Sequence, residues 1–235
     1  MPRATKATNR TAGNAAPASG PGVLLRRPIE AGDLMLATPR RAPFSDEEWI
    51  YELKLDGFRT LVRKTRDQVE LISRPGNPLN LSFPDIVGAV SQVPGDFIWD
   101  AELTVDNPDG RPSFHRLQTR AKTSRPSNVR AAVTAHPARL YVFDMLATGD
   151  RDLRGLPLDA RKRLLRDAFG DTGTLVYLSG IVAAGHWVFE QVQALGLEGM
   201  VAKRLKSTYQ RGRSPDWQKV RNARYSRPAA PGVRS

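Results

Sequence analysis

In YELKLDGFRTL, residues 51–61, a single lysine, Lys54, is separated only by Leu55 from an Asp-Gly pair in a chain that carries 36 lysines and arginines. An amine in that place is either one more solvated cation or a nucleophile. Side chains in a strand point alternately to opposite faces, so Glu52 and Lys54 share one face while Tyr51 and Leu53 take the other. FIWDAELTV pairs Asp100 with Glu102 in the same way and sets Trp99, Ala101, Leu103 and Val105 opposite them. DWQKVR pairs Lys219 with Arg221, two cations that suit phosphate. LEGMVAKRL carries Glu198, Gly199 and Lys203, and strict alternation puts Glu198 and Lys203 on opposite faces. A twist or bulge would be needed to gather both into one site. Taken singly, each stretch is also an ordinary amphipathic strand with a wet face.

Short alternating runs must hold these residues: IYELK, FRTLVRK, QVELIS, FIWDAELTV, RLYVFDML, TLVYLS, GMVAKRL and DWQKVR read as strands. Asp56-Gly57 between the first two predicts a hairpin, since glycine takes the positive φ that tight two-residue turns require. Helices are predicted at PDIVGAVSQV, at PLDARKRLLRDAF with Pro157 suited to a first turn, and at HWVFEQVQALG, which a glycine ends. Strands follow one another before helices intervene. That order predicts an α+β domain of mainly antiparallel sheets flanked by helices, in preference to a doubly wound parallel sheet. The expected organisation is a disordered basic arm over 1–22, one main domain over 23–222 and a basic C-terminal tail over 223–235.

The chain has no cysteine, which excludes disulfides and thiolate metal sites. His115, His136 and His186 are scattered without ligand spacing, which argues against a structural zinc or a His-based triad. No apolar stretch approaches the ~20 residues needed to span a bilayer, and the first residues lack the apolar centre of a signal peptide. A soluble, cytoplasmic protein with no membrane partner is expected. Its formal charge of +12 is unevenly placed: from Val201 onward ten basic residues stand against Asp216 as the only acid. Such a block suits a polyanion, because each phosphate neutralised releases condensed counterions. A solubilising tail is the plainer alternative.

KLDGFR resembles the nucleotidyl-transferase signature (Lys, any residue, Asp-Gly, any residue, Arg) of ATP-dependent DNA ligases, RNA ligases and mRNA capping enzymes. WDAEL, YVFDML, EGMVAKR and DWQKVR resemble that superfamily's later motifs in the same order. LMLATP, SFPDI, GRPSFHRLQ, DLRGLPLDARKRLL and GLEGMVAKR are similar to the ligase part of bacterial end-joining proteins, and the likeness runs from Val23 to Arg221. It implies the fold of the DNA ligases and capping enzymes, ATP as donor and magnesium as the metal. It also implies that Lys54 attacks the α-phosphate of ATP, expels pyrophosphate and becomes lysyl-AMP. Only a neutral amine can attack and free lysine titrates near ~10.4, so such a site must favour the neutral form by about 4 kcal/mol. Neighbouring cations can do this: by the resemblance Arg59, Lys203, Lys219 and Arg221 approach the nucleotide phosphates, beside a divalent ion held by oxygen ligands. The resemblance further implies that Glu102 accepts from a ribose hydroxyl and that Phe143 stacks on adenine. Glu198 would hold the metal or orient the nucleotide, Asp56 would help the metal or brace the turn, and Arg74 would lie near nucleotide or DNA phosphates. Glu52, on the face of Lys54, joins the ATP-binding set.

Two departures touch the motifs. Pro75 stands where relatives carry asparagine, which deletes an amide donor, and Ala101 replaces a glycine before Glu102. After DWQKVR relatives continue into an oligonucleotide-binding barrel, for which NARYSRPAAPGVRS is too short, so no barrel is expected here and a separate protein could supply one. Nothing before Lys54 resembles the helical domain with which NAD-dependent ligases bind nicotinamide mononucleotide. The expected function is a minimal ATP-dependent DNA ligase or stand-alone adenylation domain. It would act on nicked or broken double-stranded DNA in repair, recombination or non-homologous end joining, with end-joining proteins among its partners. An RNA ligase or guanylyltransferase shares the same signature, and a non-catalytic nucleic-acid-binding module that kept the fold is the third reading.

Overall fold

The computed structural model describes residues 22–227, so the predicted arm up to residue 21 and the predicted tail from residue 228 lie outside the described residues. Alternating runs give the strands β1 (Val23–Leu24), β2 (Met35–Pro39), β3 (Trp49–Lys54), β4 (Phe58–Thr65) and β5 (Gln68–Ser73), followed by helix α1 (Pro84–Ser91) and strand β6 (Phe97–Val105). Next come α2 (Phe114–Ala121), α3 (Pro126–Ala135), β7 (Ala138–Thr148), β8 (Arg151–Asp152), α4 (Leu158–Ala168), β9 (Leu175–Tyr177), β10 (Gly180–Val182), α5 (Gly185–Ala194), β11 (Gly199–Arg204) and β12 (Gly212–Arg221). The three predicted helices are α1, α4 and α5, with Pro157 capping α4 from just outside. Helices α2 and α3 lie where none is predicted.

Two sheets form. The larger has the order β1-β8-β7-β6-β4-β5 with β9 added beside β7, and the smaller has the order β10-β3-β11-β12-β2. Pairing is antiparallel except between β7 and β9 and between β12 and β2, which agrees with the predicted α+β class. One prediction fails here. Strands β3 and β4 do not form a hairpin, because β3 pairs with β10 and β11 in the smaller sheet while β4 pairs with β5 and β6 in the larger. Leu55, Asp56 and Gly57 are the crossing from one sheet to the other. Gly57 is not at positive φ either; a Cβ there would lie 2.3 Å from the Leu103 carbonyl oxygen. It is glycine because β6 passes too close for anything larger.

Alternation sorts the core into layers. Trp99, Ala101, Leu103 and Val105 face outward from the larger sheet and pack with Ile86 and Val90 of α1, Leu117 of α2 and Leu165 of α4. The opposite face, with Leu61, Ile98 and Phe143, meets Met35, Tyr209 and Trp217 between the two sheets. Tyr51, Met200, Ala202 and Val220 cover the far side of the smaller sheet and pack beneath Val188 and Val192 of α5. Among the described residues no helix is long and apolar enough to cross a membrane.

Candidate active site

Where the sheets meet, a cleft of about 740 Å³ opens, lined by Lys54 and Glu52 of β3, Asp56 and Gly57 of the crossing, and Arg59 of β4. Glu102 of β6, Phe143 of β7, Glu198, Lys203 of β11, and Lys219 and Arg221 of β12 complete it, with Arg74 at the mouth. Every site residue expected from the sequence therefore borders one cavity. Lys54 is the last residue of β3 and sits at the seam. Its ammonium is ion-paired with Glu198. Glu198 precedes β11, so strand alternation does not bind it: Lys203 and Val201 point into the cleft from the strand, and Glu198 reaches it from the loop before. No bulge is needed.

The base of the cleft is a charged knot. The Glu52 side chain is 1% exposed, and its two oxygens each meet a lysine at 2.5 Å, Lys162 of α4 and Lys203. Lys162 also donates to the carbonyl of Leu178 at 3.0 Å, tying α4 to the cleft wall. Burial works against its charge, yet Glu52 outweighs burial and holds its pKa above the ordinary lysine value. Lys203 is the opposite case: burial lowers its pKa, and Lys162 adds to that as a like charge, despite Glu52. Its ammonium lies 4.2 Å from the ring centres of Phe143 and Trp217, which face it as a cation–π pair.

Arg59 lines the cleft, but its guanidinium is largely committed. It donates to Asp100 at 2.7 Å and 2.5 Å and to the Met35 carbonyl at 2.7 Å. The Tyr209 hydroxyl donates to Asp100 at 2.6 Å and accepts the Met35 amide at 2.9 Å. Asp100 is thus a buried anchor, while Glu102, its partner on the same face, lies in the cleft and accepts the Gly57 amide at 3.1 Å. Burial pushes the Glu102 carboxyl up to about 7, against the opposing pull of Lys54 and Arg59. Lys219 is shifted the other way: partial burial lowers its pKa, as do Arg221 and Lys54. Arg74 is exposed at the tip of a turn closed by Ser73 and Asn77, and Pro75 leaves that tip without one amide.

Two features were not legible as site residues. Lys162 and Trp217 both shape the cleft, and Lys162 does so from a helix 108 positions beyond Lys54. Asp56 has a partner no motif suggests. It accepts from the Tyr225 hydroxyl at 2.8 Å and from Arg227 at 2.9 Å and 2.7 Å, so residues read from sequence as the start of a tail dock on the crossing.

Among the described residues no three His, Cys, Asp or Glu side chains cluster as a metal cage. A magnesium ion needs no such cage, being commonly held by one or two carboxylates and substrate phosphates with the remaining positions left to water. Glu198 is the fitting carboxylate, since among the described residues its side chain is paired with the Lys54 ammonium alone. Asp56 fits only after Arg227 and Tyr225 release it.

Residues 35–221 match the model of the ATP dependent DNA ligase domain. The chain belongs to that family. This ligase domain is 35% identical over 167 residues to DNA ligase C2 of Mycolicibacterium smegmatis, a match covering 68% of the chain and 46% of that relative. It is 33% identical over 178 residues to the multifunctional non-homologous end joining protein LigD of Pseudomonas aeruginosa, covering 74% of the chain and 20% of that protein. The chain thus spans less than half the length of these two relatives. The solved ligase domain of Mycobacterium tuberculosis LigD superposes with a TM-score of 0.66 at 27% identity, over 80% of this chain and 58% of that one. A mycobacterial DNA ligase D solved with ATP and MES gives a TM-score of 0.66 at 26% identity, over 80% and 59%. A Chlorella virus DNA ligase-adenylate, at 15% identity and a TM-score of 0.58, shares the fold.

Proposed function

We propose that this domain is the nucleotidyl-transferase unit of an ATP-dependent DNA ligase, acting on nicked or broken duplex DNA in cytoplasmic repair or end joining. The observation that carries the reading is the setting of Lys54: a lysine at the seam of two sheets, paired with a carboxylate, with Lys219 and Arg221 on β12, across β11 in the same sheet. In the first step Glu198 turns from the Lys54 ammonium, whose proton passes to solvent, and the neutral amine attacks the α-phosphate of ATP. The new N–P bond forms as the bond to the bridging oxygen breaks, and pyrophosphate leaves with its electron pair. Lys219 and Arg221 face the charge that grows on the phosphates, where fixed cations stabilise the transition state most. Lys203 and Glu52 close the floor. Magnesium, held by Glu198 and the phosphates, would supply further charge neutralisation. The adenylate would then pass to a DNA 5′-phosphate, and the flanking 3′-hydroxyl would displace AMP to seal the strand.

The test is the intact mass after incubation with ATP and magnesium. A gain equal to AMP that is absent from Lys54→Ala supports the assignment, and no gain with ATP overturns it. A parallel incubation with GTP separates a ligase from a guanylyltransferase, because only the preferred donor should label the chain.

A further inference from the structure

The contact between Asp56 and the segment after β12 has features that the reaction described above does not use. Asp56 is two residues from Lys54, and its side chain is only 4% exposed. A carboxylate buried to that degree must be paired. Both its oxygens are taken by Tyr225 and Arg227. Asn222 is fixed firmly: its amide donates to the Glu198 carbonyl at 2.9 Å and its side chain to the Leu197 carbonyl at 3.1 Å. Beyond the short turn that Asn222 starts, with Tyr225 donating back to its carbonyl at 3.0 Å, the segment is held at its tip by Asp56. There the Arg227 guanidinium also lies 3.9 Å above the Phe114 ring. Arg227 is 55% exposed, while Asp56 is buried. Its guanidinium borders the main cleft, and with Arg221 it flanks an adjoining hollow of about 300 Å³.

We propose that Tyr225 and Arg227 form a latch on Asp56 that the triphosphate tail of the nucleotide opens, Arg227 exchanging the carboxylate for a phosphate. The idea rests on the cleft being a nucleotide site. An arginine half exposed on one side and paired on the other can transfer between two anions at little cost, since it is desolvated in neither state. Phosphate offers the same bidentate geometry as carboxylate with more charge. Asn222 serves as the fixed end, and the crossing that carries Asp56 gains freedom when the latch lifts. The released carboxylate is then available to a cation that arrives with the nucleotide.

Competition has a signature that simple electrostatics lacks. With inorganic tripolyphosphate as the probe and no metal present, calorimetric titration of the full chain should show Arg227→Ala binding roughly tenfold or more weakly, the worth of a charge-assisted hydrogen bond. Asp56→Asn should bind severalfold more tightly, because it removes the competitor. In the double variant, Asp56→Asn should no longer tighten binding. If Asp56→Asn tightens binding equally with and without Arg227, the effect is long-range charge and the latch is refuted. Hydrogen exchange gives a second reading: peptides spanning 222–227 should exchange faster in Asp56→Asn than in wild type without ligand, and unchanged exchange would also refute the latch. Because neither measurement needs Lys54 to react, failure of the AMP label would undo the proposed function and leave the latch standing, and the converse holds equally.

Discussion

Replacing Gly57 by alanine tests the junction on which the site depends. The added Cβ would sit 2.3 Å from the Leu103 carbonyl oxygen, where Cβ atoms essentially never come within 3.0 Å, so the crossing must open by about 0.7 Å. Leu103 cannot yield easily, because β6 is held between β4 and β7 in the larger sheet. Overpacking of this kind costs about 1–3 kcal/mol, and the shift also strains the bond from the Gly57 amide to Glu102. The larger effect is on chemistry. Lys54 is three residues away, and a misplacement approaching ~1 Å at a reacting group costs about 10²-fold in rate. Single-turnover formation of the AMP adduct should therefore fall by roughly 10- to 10²-fold, together with a lower urea midpoint. Gly88→Ala in α1, whose Cβ would meet nothing within 4 Å, should instead raise the midpoint and leave the rate alone. If Gly57→Ala adenylates within twofold of wild type at an unchanged midpoint, the close approach of β6 does not set the position of Lys54.

Lys54→Arg should fold normally and form no adduct, since arginine keeps the charge but does not release a proton; residual label in mass spectrometry would place the nucleophile elsewhere. Tyr209→Phe should lower stability by roughly 1–3 kcal/mol by leaving Asp100 and the Met35 amide each short of a buried partner, a loss that urea denaturation reads directly. Glu102 gives a pH dependence of defined sign. Its carboxyl is raised to about 7 in the folded chain against ~4.3 for a free one, so the folded state keeps a proton that the unfolded state has lost. Its contribution to stability is full below ~4.3 and declines as pH rises through about 7. Glu102→Gln should flatten that part of the decline in nucleotide-free protein, and parallel pH profiles for the two proteins would show that another group is responsible.

The sequence revealed the faces of the strands better than their neighbours. Period-two alternation placed Glu52 with Lys54, Asp100 with Glu102 and Lys219 with Arg221, because that pattern is local and a buried face enforces it. Asp56-Gly57 misled because the same dipeptide serves a tight turn and a tight passage between sheets, and only the approach of Leu103 tells them apart. Helices α2 and α3 are short, 8 and 10 residues, and bury little, Leu117 and Arg120 in one and Val129 in the other, so few positions carry a pattern that could announce them. The buried cations were partly legible. Leu158, Arg161, Lys162 and Leu165 fall at helical spacing on one buried face of α4, and two cations interrupting an apolar stripe announce buried acidic partners. They do not say which acids. Those are Asp144 for Arg161 and Glu52 for Lys162, the second 110 residues away.

Lys54 and Glu102 belong to different sheets, joined directly in sequence by Leu55, Asp56 and Gly57 and packed on each other through one shared apolar layer. The two halves of the chemistry are thus aligned like the jaws of a vice, by the angle between two stiff plates and not by the stiffness of either. Heat or mild denaturant that loosens the layer between the plates would spoil the alignment while each sheet keeps its own hydrogen bonds. Catalytic competence should then disappear at a lower temperature than the far-ultraviolet circular dichroism of the strands.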